Sequence, residues 1–160
     1  MRIQAPMRVS HSWVQHLNAS PEAVFPLLCP VRETEWVNGW DPELVLSHSG
    51  VAEPGCIFIT PGETAESIWV TTDYVAPERI AFLKVTPGRT VGEIDIRLHR
   101  EGEAATAMDV TYTYTALSPA GEDDVGAFTA ATYRAFMEEW ERELGHFLET
   151  GEKLAPEHST

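Results

Sequence analysis

The stretch CPVRETEWVNGW, residues 29–40, sets two carboxyl groups, Glu33 and Glu35, among tryptophan rings. A carboxyl group that is held in an apolar pocket has a raised pKa and can serve as a general acid or base. Solvated glutamates on a short surface helix are the ordinary alternative, and Arg32 could pair with either of them. Both interpretations stay open from the sequence alone.

Two tryptophans, Trp36 and Trp40, stand four residues apart in the same stretch. Gly39 and Pro42 end helices, so the segment predicts one or two helical turns that run into a tight loop. Rings of this size must be covered. Either they plug one end of the protein core, or they line the mouth of a cavity and stack on a flat or apolar ligand.

Three further polar side chains are candidates for chemistry in an interior space. His11 shares a strand face with Trp13, and the hydroxyl groups of Tyr112 and Tyr114 could orient a carbonyl or a phenol. No nucleophile elbow, HExxH helix, phosphate-binding loop or paired Cys–His spacing accompanies them. The catalytic candidates are therefore His11, Glu35, Tyr112 and Tyr114, and the sequence predicts no metal site and no cofactor.

The composition predicts a single acidic domain. The 160 residues carry 25 Asp and Glu against 11 Lys and Arg, and the resulting net charge of -14 repels nucleic acid and anionic lipid headgroups. No segment has the pattern of a signal peptide or the length of a membrane span, so we expect a cytoplasmic protein without stable membrane association. Cys29 and Cys56 lack CxxC spacing and are expected to be free thiols, with a disulfide between them as the alternative.

The chain begins with an alternating strand over residues 7–17. Ser20 then supplies a helix N-cap, Pro21 occupies the first helical position, and Pro26 ends the helix near Leu28. About six antiparallel strands are predicted next, from segments of period two. These segments are 43–49, 56–60, 64–74, 79–86, 91–99 and 108–115. The last of them alternates apolar and aromatic residues with a threonine ladder suited to water.

From about residue 123 to residue 149 the apolar residues recur with the period of a helix, which Gly151 ends. We expect Phe136 and Trp140, in the middle of its apolar stripe, to be largely buried. Residues 151–160 are predicted to form a frayed polar tail, which leaves 1–150 as the one domain. The stripe consists of Phe128, Thr132, Phe136, Trp140, Leu144 and Phe147.

This order of elements predicts an α+β fold. A curled antiparallel sheet of six to seven strands carries two short helices after its first strand and a long C-terminal helix over its concave face. A curled sheet that is covered by one helix does not close completely, so an elongated interior space remains. The residues predicted to line this space and bind a ligand are Trp36, Trp40, Trp69, Tyr112, Tyr114, Phe128, Thr132, Phe136 and Trp140.

The element order resembles the helix-grip fold of the START-like superfamily, also called SRPBCC, over nearly the whole chain. ASPEAVFPLL, residues 19–28, is similar to the opening of that superfamily, where Ser-Pro-Glu starts the first short helix directly after the first strand. CPVRETEWVNGW resembles the counterpart in a group of bacterial members. The superfamily includes polyketide cyclases, plant pollen-allergen relatives and lipid-transfer domains. SGVAEPG, residues 49–55, departs from the glycine-rich loop that many relatives carry.

The architecture and the resemblance together imply binding of an apolar or aromatic small molecule, lipid-like or polyketide-like, in the interior space. The alternative is a small cofactor-free enzyme of the cyclase, dehydratase or isomerase type, acting on a polyketide-like or aromatic substrate. An ionisable side chain inside the space favours the enzyme, and a purely apolar lining favours a carrier or sensor. A protein-interaction module is a third class, against which the polar threonine face argues. The expected partner is a hydrophobic small molecule, bound by a monomer or a homodimer.

Overall fold

The segments of period two form strands and the segments of helical period form helices in the computed structural model, which describes residues 1–156. The strands are β1 (Arg8–Leu17), β2 (Leu44–Leu46), β3 (Ile57–Thr60), β4 (Ser67–Val75), β5 (Arg79–Thr86), β6 (Thr90–Gly102) and β7 (Ala105–Ala116). The helices are α1 (Pro21–Val24), α2 (Pro119–Ala127) and α3 (Ala130–Thr150), and two 3₁₀ turns, Phe25–Leu27 and Arg32–Glu35, follow α1. Of the predicted polar tail, residues 157–160 lie outside the described part.

All seven strands belong to one antiparallel sheet, in the order β1-β7-β6-β5-β4-β3-β2. A β-bulge between Thr71 and Asp73 shifts the register of β4 against β5, and a bulge of this kind bends the strand that carries it. The predicted fold class is therefore confirmed: a curled seven-stranded sheet with short helical turns after its first strand and a long C-terminal helix.

The first short helix begins where the sequence predicts. The Ser20 hydroxyl accepts a hydrogen bond from the backbone N–H of Ala23 at 3.3 Å, and Pro21 occupies the first turn. After Val24 the chain tightens into a 3₁₀ turn that contains Pro26 and ends at Leu28. The proline lacks the N–H that a continuing α-helix needs, so the chain turns instead towards the next short segment.

The C-terminal helix differs from the prediction, because it is divided at Phe128 and Thr129. Phe128 leaves the helical region with φ -83 and ψ 68, and the Thr129 side chain caps α3 by accepting a hydrogen bond from the N–H of Thr132 at 3.2 Å. His11 Nε2 donates to the freed carbonyl oxygen of Phe128 at 2.9 Å. The break thus has its own cap and a partner on β1, which keeps its backbone groups hydrogen-bonded.

The face of α3 that packs on the sheet is rotated from the predicted stripe. Tyr133, Met137 and Leu144 are buried together with Trp140, and the helix packs against β1. Phe136 is 43% exposed, so the expectation that it is largely buried was wrong, whereas Trp140 is 9% exposed as expected. Because α3 lies towards the β1 side of the sheet, its buried face turns to that side and Phe136 falls at the margin.

The outer face of the sheet has two different halves. On β1 and β7, Ser10 pairs with Thr113 and Ser12 with Thr111 through hydroxyl contacts of 2.9 and 2.7 Å, which confirms the water-facing threonine ladder. At the other end the outer face is aliphatic, with exposed residues on β2 and β4. The more exposed of them are Leu44, Leu46 and Ile68.

Two predictions about the chain as a whole can be compared with the structure. Cys29 and Cys56 are free thiols, and both are buried. None of the helices within residues 1–156 is long and apolar enough to cross a membrane.

Two neighbouring residues of α3 test its orientation by mutation. Met137 is fully buried, so Met137→Ala should lower the free energy of unfolding by about 2–5 kcal/mol. Phe136→Ala, one position away on the exposed margin, should cost less than about 1 kcal/mol. Urea denaturation of both variants measures the difference. Equal losses would contradict the orientation of α3.

Candidate functional site

The pairing of the inner strands builds one wall of an interior cavity. Phe58 pairs with Trp69, Trp69 with Lys84, Lys84 with Gly92, and Gly92 with Tyr114. Residues that pair across adjacent strands point to the same side of a sheet, so this row crosses the concave face from β3 to β7. Its side chains are aromatic except for one lysine and one glycine.

A second row of the concave face runs beside the first. Phe82 pairs with Ile94, and Ile94 pairs with Tyr112. The Phe82 ring lies edge-on to Phe58 at 5.8 Å and to Trp69 at 6.1 Å between ring centroids. The two rows together form a largely aromatic floor, in which Lys84, Gly92 and Ile94 separate the rings of β3, β4 and β5 from those of β7.

Two indole groups from the segment after α1 close the space above the floor. Trp36 is fully buried, donates its Nε1–H to the carbonyl oxygen of Leu27 at 3.0 Å, and stacks on Trp140 at 6.2 Å. Trp40 is partly exposed and donates its Nε1–H to the carbonyl oxygen of Pro30 at 2.8 Å. Both ring positions are thus held by the backbone of their own segment.

The cavity measures about 490 Å³, is partly open to solvent, and lies between the sheet, α3 and the segment of Trp36 and Trp40. Every residue predicted to bind a ligand lies on its wall, and so do four of the five tryptophans of the chain. The lining residues are Glu33, Trp36, Val37, Trp40, Phe58, Trp69, Phe82, Lys84, Ile94, Ile96, Tyr112, Tyr114, Phe128, Thr132, Phe136, Glu139, Trp140 and Glu143.

Glu33 is the carboxyl group of the short turns that reaches this space. Burial among apolar groups raises its pKa to about 8, because the charged form loses its hydration there. Its side chain keeps some accessible surface, since the cavity that it faces is wide enough for water. Within residues 1–156 its carboxyl group has no hydrogen-bond or ion-pair partner. Near neutral pH, Glu33 is therefore a protonated acid inside an aromatic cavity.

The two glutamates that α3 contributes to the wall are both engaged with protein groups. Glu143 is 5% exposed and accepts a hydrogen bond from the backbone N–H of Asn38 at 2.6 Å. Burial raises the pKa of Glu143, and that hydrogen bond partly opposes the rise. Glu139 forms an ion pair with Arg142 on the same helix.

Two of the four candidates for catalysis, Glu35 and His11, do not line the cavity. Glu35 is exposed, pairs with Arg32 and does not line the cavity, although its neighbour Glu33 does. His11 lies behind the wall, stacked on Tyr133 at 5.5 Å. Nothing in the sequence distinguished the two glutamates, because which side of a short 3₁₀ turn faces inwards depends on tertiary packing.

Tyr112 and Tyr114 do line the cavity. Burial raises the pKa of both hydroxyl groups, that of Tyr114 to about 12. Both are therefore neutral at physiological pH and able to donate a hydrogen bond. Lys84 was not among the candidates, and nothing in its local sequence marks it as a cavity residue. Its ammonium group lies over the Trp69 ring, with the nitrogen 4.8 Å from the ring centroid.

No group of three or more His, Cys, Asp or Glu residues within the described range has the arrangement of a metal site. The ionisable groups of the wall are instead spread around an aromatic surface, on the short turns, β5, β7 and α3. Such an arrangement can orient an organic molecule or transfer protons to it.

Solved structures share this fold. A Staphylococcus aureus protein of unknown function aligns with a TM-score of 0.68 at 12% identity, over 91% of this chain and 96% of its own. A norcoclaurine synthase point mutant of Thalictrum flavum, in complex with a transition-state analogue, gives 0.64 at 11% identity, over 92% and 98%. A Rhizobium leguminosarum protein gives 0.62 at 17% identity, over 92% and 99%.

A scan against protein-family models and a comparison with curated proteins find no match. The likeness to solved structures therefore concerns the fold. The chain has the helix-grip fold that its element order predicted.

The protonation of Glu33 can be tested through stability. An unfolded glutamate titrates near its ordinary pKa of about 4.3, whereas the folded pKa of Glu33 is about 8. Between these values the folded state holds a proton that the unfolded state has lost, so stability falls as the pH rises. Glu33→Gln removes this pH dependence. The free energy of unfolding of the variant, relative to that of the wild type, should rise by about 1–3 kcal/mol between about pH 5 and pH 8.

Glu35→Gln is the matched control, because Glu35 is exposed and lies two positions away. Its stability should follow that of the wild type within about 0.5 kcal/mol over the same pH range. Urea denaturation at both pH values measures all three proteins. A Glu33→Gln curve parallel to the wild-type curve would show that Glu33 is ionised in the folded protein.

Proposed function

We propose that the protein binds an apolar or aromatic small molecule in the cavity between the sheet and α3. The observation that carries the proposal is the cavity itself, about 490 Å³ with walls made largely of aromatic rings. Pockets for small organic ligands commonly measure about 300–1,000 Å³ and combine apolar walls with a few polar groups. This cavity has both properties.

The shape of the walls favours flat ligands. Phe58 and Trp69 stack at 5.2 Å with 16° between their planes, and Trp40 stands edge-on to both. Ring faces and ring edges are thus both presented to an occupant. Each well-placed pair of aromatic rings contributes about 0.5–1.5 kcal/mol beyond the area that it buries. A polyketide-like or other fused-ring molecule uses more of these contacts than a flexible acyl chain does.

The neighbouring structures support the proposal at the level of the fold. The norcoclaurine synthase structure holds a transition-state analogue. The helix-grip fold can therefore hold a small organic molecule, although the identity of 11% carries no residue of that site over to this chain.

A second candidate function is favoured by the position of Glu33. A carboxyl group with a pKa of about 8 is close to the ideal for a general acid or base at neutral pH. Placed beside an enolisable carbonyl compound, it could move a proton at the carbon next to the carbonyl group. The candidate activity is cofactor-free acid–base catalysis of the isomerase, cyclase or dehydratase type.

Binding can be measured with N-phenyl-1-naphthylamine, an uncharged aromatic probe whose fluorescence rises in apolar surroundings. Wild-type protein should give a saturable increase with energy transfer from tryptophan. Trp40→Ala should weaken binding and raise the dissociation constant about tenfold, because it removes a partly exposed ring from the wall. Trp36 is a poorer choice, since it is fully buried and its loss affects folding.

Trp13→Ala is the control for this measurement, because Trp13 lies beneath Arg134 and outside the cavity. The probe should bind this variant like the wild type, and circular dichroism establishes that both variants are folded. Fatty acids, flavonoids, sterols and polyketide-like aromatics then compete for the site. If neither the probe nor any compound of this panel binds folded wild-type protein, the binding proposal is wrong.

The second candidate function can be tested with 1-tetralone, a bicyclic aryl ketone, in heavy water. Acid–base catalysis by Glu33 should accelerate deuterium exchange at the carbon next to the carbonyl group by at least about tenfold over buffer. Glu33→Gln should abolish the acceleration, and Glu35→Gln should retain it. Proton NMR follows the exchange. Equal rates in wild type and Glu33→Gln would exclude Glu33 as the acid–base group.

A further inference from the structure

Lys84 is an unusual residue in this chain. The sequence has two lysines, Lys84 and Lys153, and Lys84 lies on the concave side of the sheet among aromatic rings. Within residues 1–156 it forms no ion pair with a carboxylate. Lys84 is partly buried, and a charge that loses part of its hydration without gaining a partner is costly, so the surroundings of this ammonium group need an explanation.

Neutral groups surround the ammonium group. Its nitrogen lies 4.8 Å from the ring centroid of Trp69 and 5.7 Å from that of Tyr114, and it donates to the Tyr114 hydroxyl at 3.4 Å. Gly92 makes this arrangement possible, because a Cβ atom there would lie 2.7 Å from an atom of the Tyr114 ring. Ring faces attract a cation but leave its charge without a counter-ion.

The carboxyl groups of the same cavity do not serve as that counter-ion. Glu139 pairs with its own helix neighbour, and Glu143 accepts a backbone hydrogen bond. Glu33 is protonated near neutral pH. Lys84 is thus a cation with unused hydrogen-bonding capacity.

A second, smaller cavity of about 230 Å³ lies on the other side of Lys84. It shares Lys84, Tyr114 and Phe128 with the aromatic cavity, and Thr86 and Thr90 line it as well. Its acidic residue, Asp124, is paired with Arg89 at 2.7 Å. Lys84 therefore stands where a large aromatic space meets a small space with polar walls.

We propose that the cavity is selective for aromatic anions, with the aromatic body among the rings and a carboxylate or a group of like charge on Lys84. The inference rests on the proposed function, namely that the cavity holds an aromatic molecule. The anion supplies the counter-ion that the protein lacks, and the Tyr114 hydroxyl can donate a second hydrogen bond to it. Hydrogen bonds between charged partners are about twice as strong as neutral ones. The net charge of -14 opposes the entry of an anion only weakly, since salt largely screens charges that lie farther than about 8 Å from it at physiological ionic strength.

A pair of ligands of almost equal shape tests the proposal. Naphthalene-2-carboxylate and naphthalene-2-carboxamide each displace N-phenyl-1-naphthylamine at neutral pH and physiological ionic strength. Wild-type protein should prefer the carboxylate by about tenfold or more. Lys84→Met, which keeps the length of the side chain, should remove the preference by weakening the binding of the carboxylate far more than that of the carboxamide. Lys84→Arg should restore part of it.

The outcomes separate this inference from the proposed function. If the probe and both naphthalenes bind equally well to the wild type, or if the preference survives in Lys84→Met, the selectivity is refuted while the cavity remains a binding site. If neither the probe nor either naphthalene binds to folded wild-type protein, the proposed function fails and the inference falls with it.

The titration of Lys84 itself provides a second test. Protein labelled with ¹³C at the lysine ε-carbon gives two lysine signals, and Lys84→Met assigns them. Burial lowers the pKa of Lys84 in the free protein, and an adjacent carboxylate should raise it on addition of naphthalene-2-carboxylate, whereas the carboxamide should not. An unchanged titration of the Lys84 signal in the saturated complex contradicts the proposal. The other titratable groups of the two cavities are Glu33, Tyr112, Tyr114, Asp124, Glu139 and Glu143.

Discussion

The width of the curled sheet, compared with the width of one helix, is the constraint on which the rest of the structure depends. Seven strands at a spacing of about 4.8 Å span roughly 29 Å, whereas a helix with its side chains is about 10–12 Å across. Since α3 packs against β1, the far side of the concave face is left to other elements. The short turns after β1 close that side. A cavity between sheet and helix is therefore a consequence of the architecture.

The segment of Trp36 and Trp40 shows how the remaining width is bridged. Each indole N–H is bound to a backbone carbonyl of the same segment, and the N–H of Asn38 bonds to Glu143 on α3. The rings are thus anchored before any ligand arrives. The space of about 490 Å³ is partly open to solvent and far exceeds the voids of a normally packed interior, few of which are larger than a water molecule. The anchors hold that space open, because the rings cannot collapse into it without losing their hydrogen bonds.

Periodicity predicted the fold and the aromatic wall well, because strand and helix patterns are local and the sheet then assigns alternate residues to one face. It failed where the answer depends on distant packing. The local signals for the division at Phe128 are weak, namely Gly126 in the last turn of α2 and the cap residue Thr129. Whether Glu33 or Glu35 faces the cavity depends on how a short turn packs in the folded protein. Lys84 lies in β5, where the three consecutive residues Ile80, Ala81 and Phe82 are all buried, so alternation alone did not assign it to the concave face.

Glu33 and Lys84 reach the same cavity from different layers, one from the turns and the other from the sheet. Each costs folding free energy, since an apolar side chain of similar volume would fill the same place without desolvating an ionisable group. A molecule that binds only the folded state offsets such a cost, because binding stabilises that state. In the proposed function the rings select a class of molecule by its area and flatness, but they accept it in several orientations. The proposed contact between an anionic end and Lys84 would remove that ambiguity, because it decides which end of the molecule approaches Glu33. Whether such a ligand would be carried or converted then depends on the atom that this orientation brings next to the carboxyl group of Glu33.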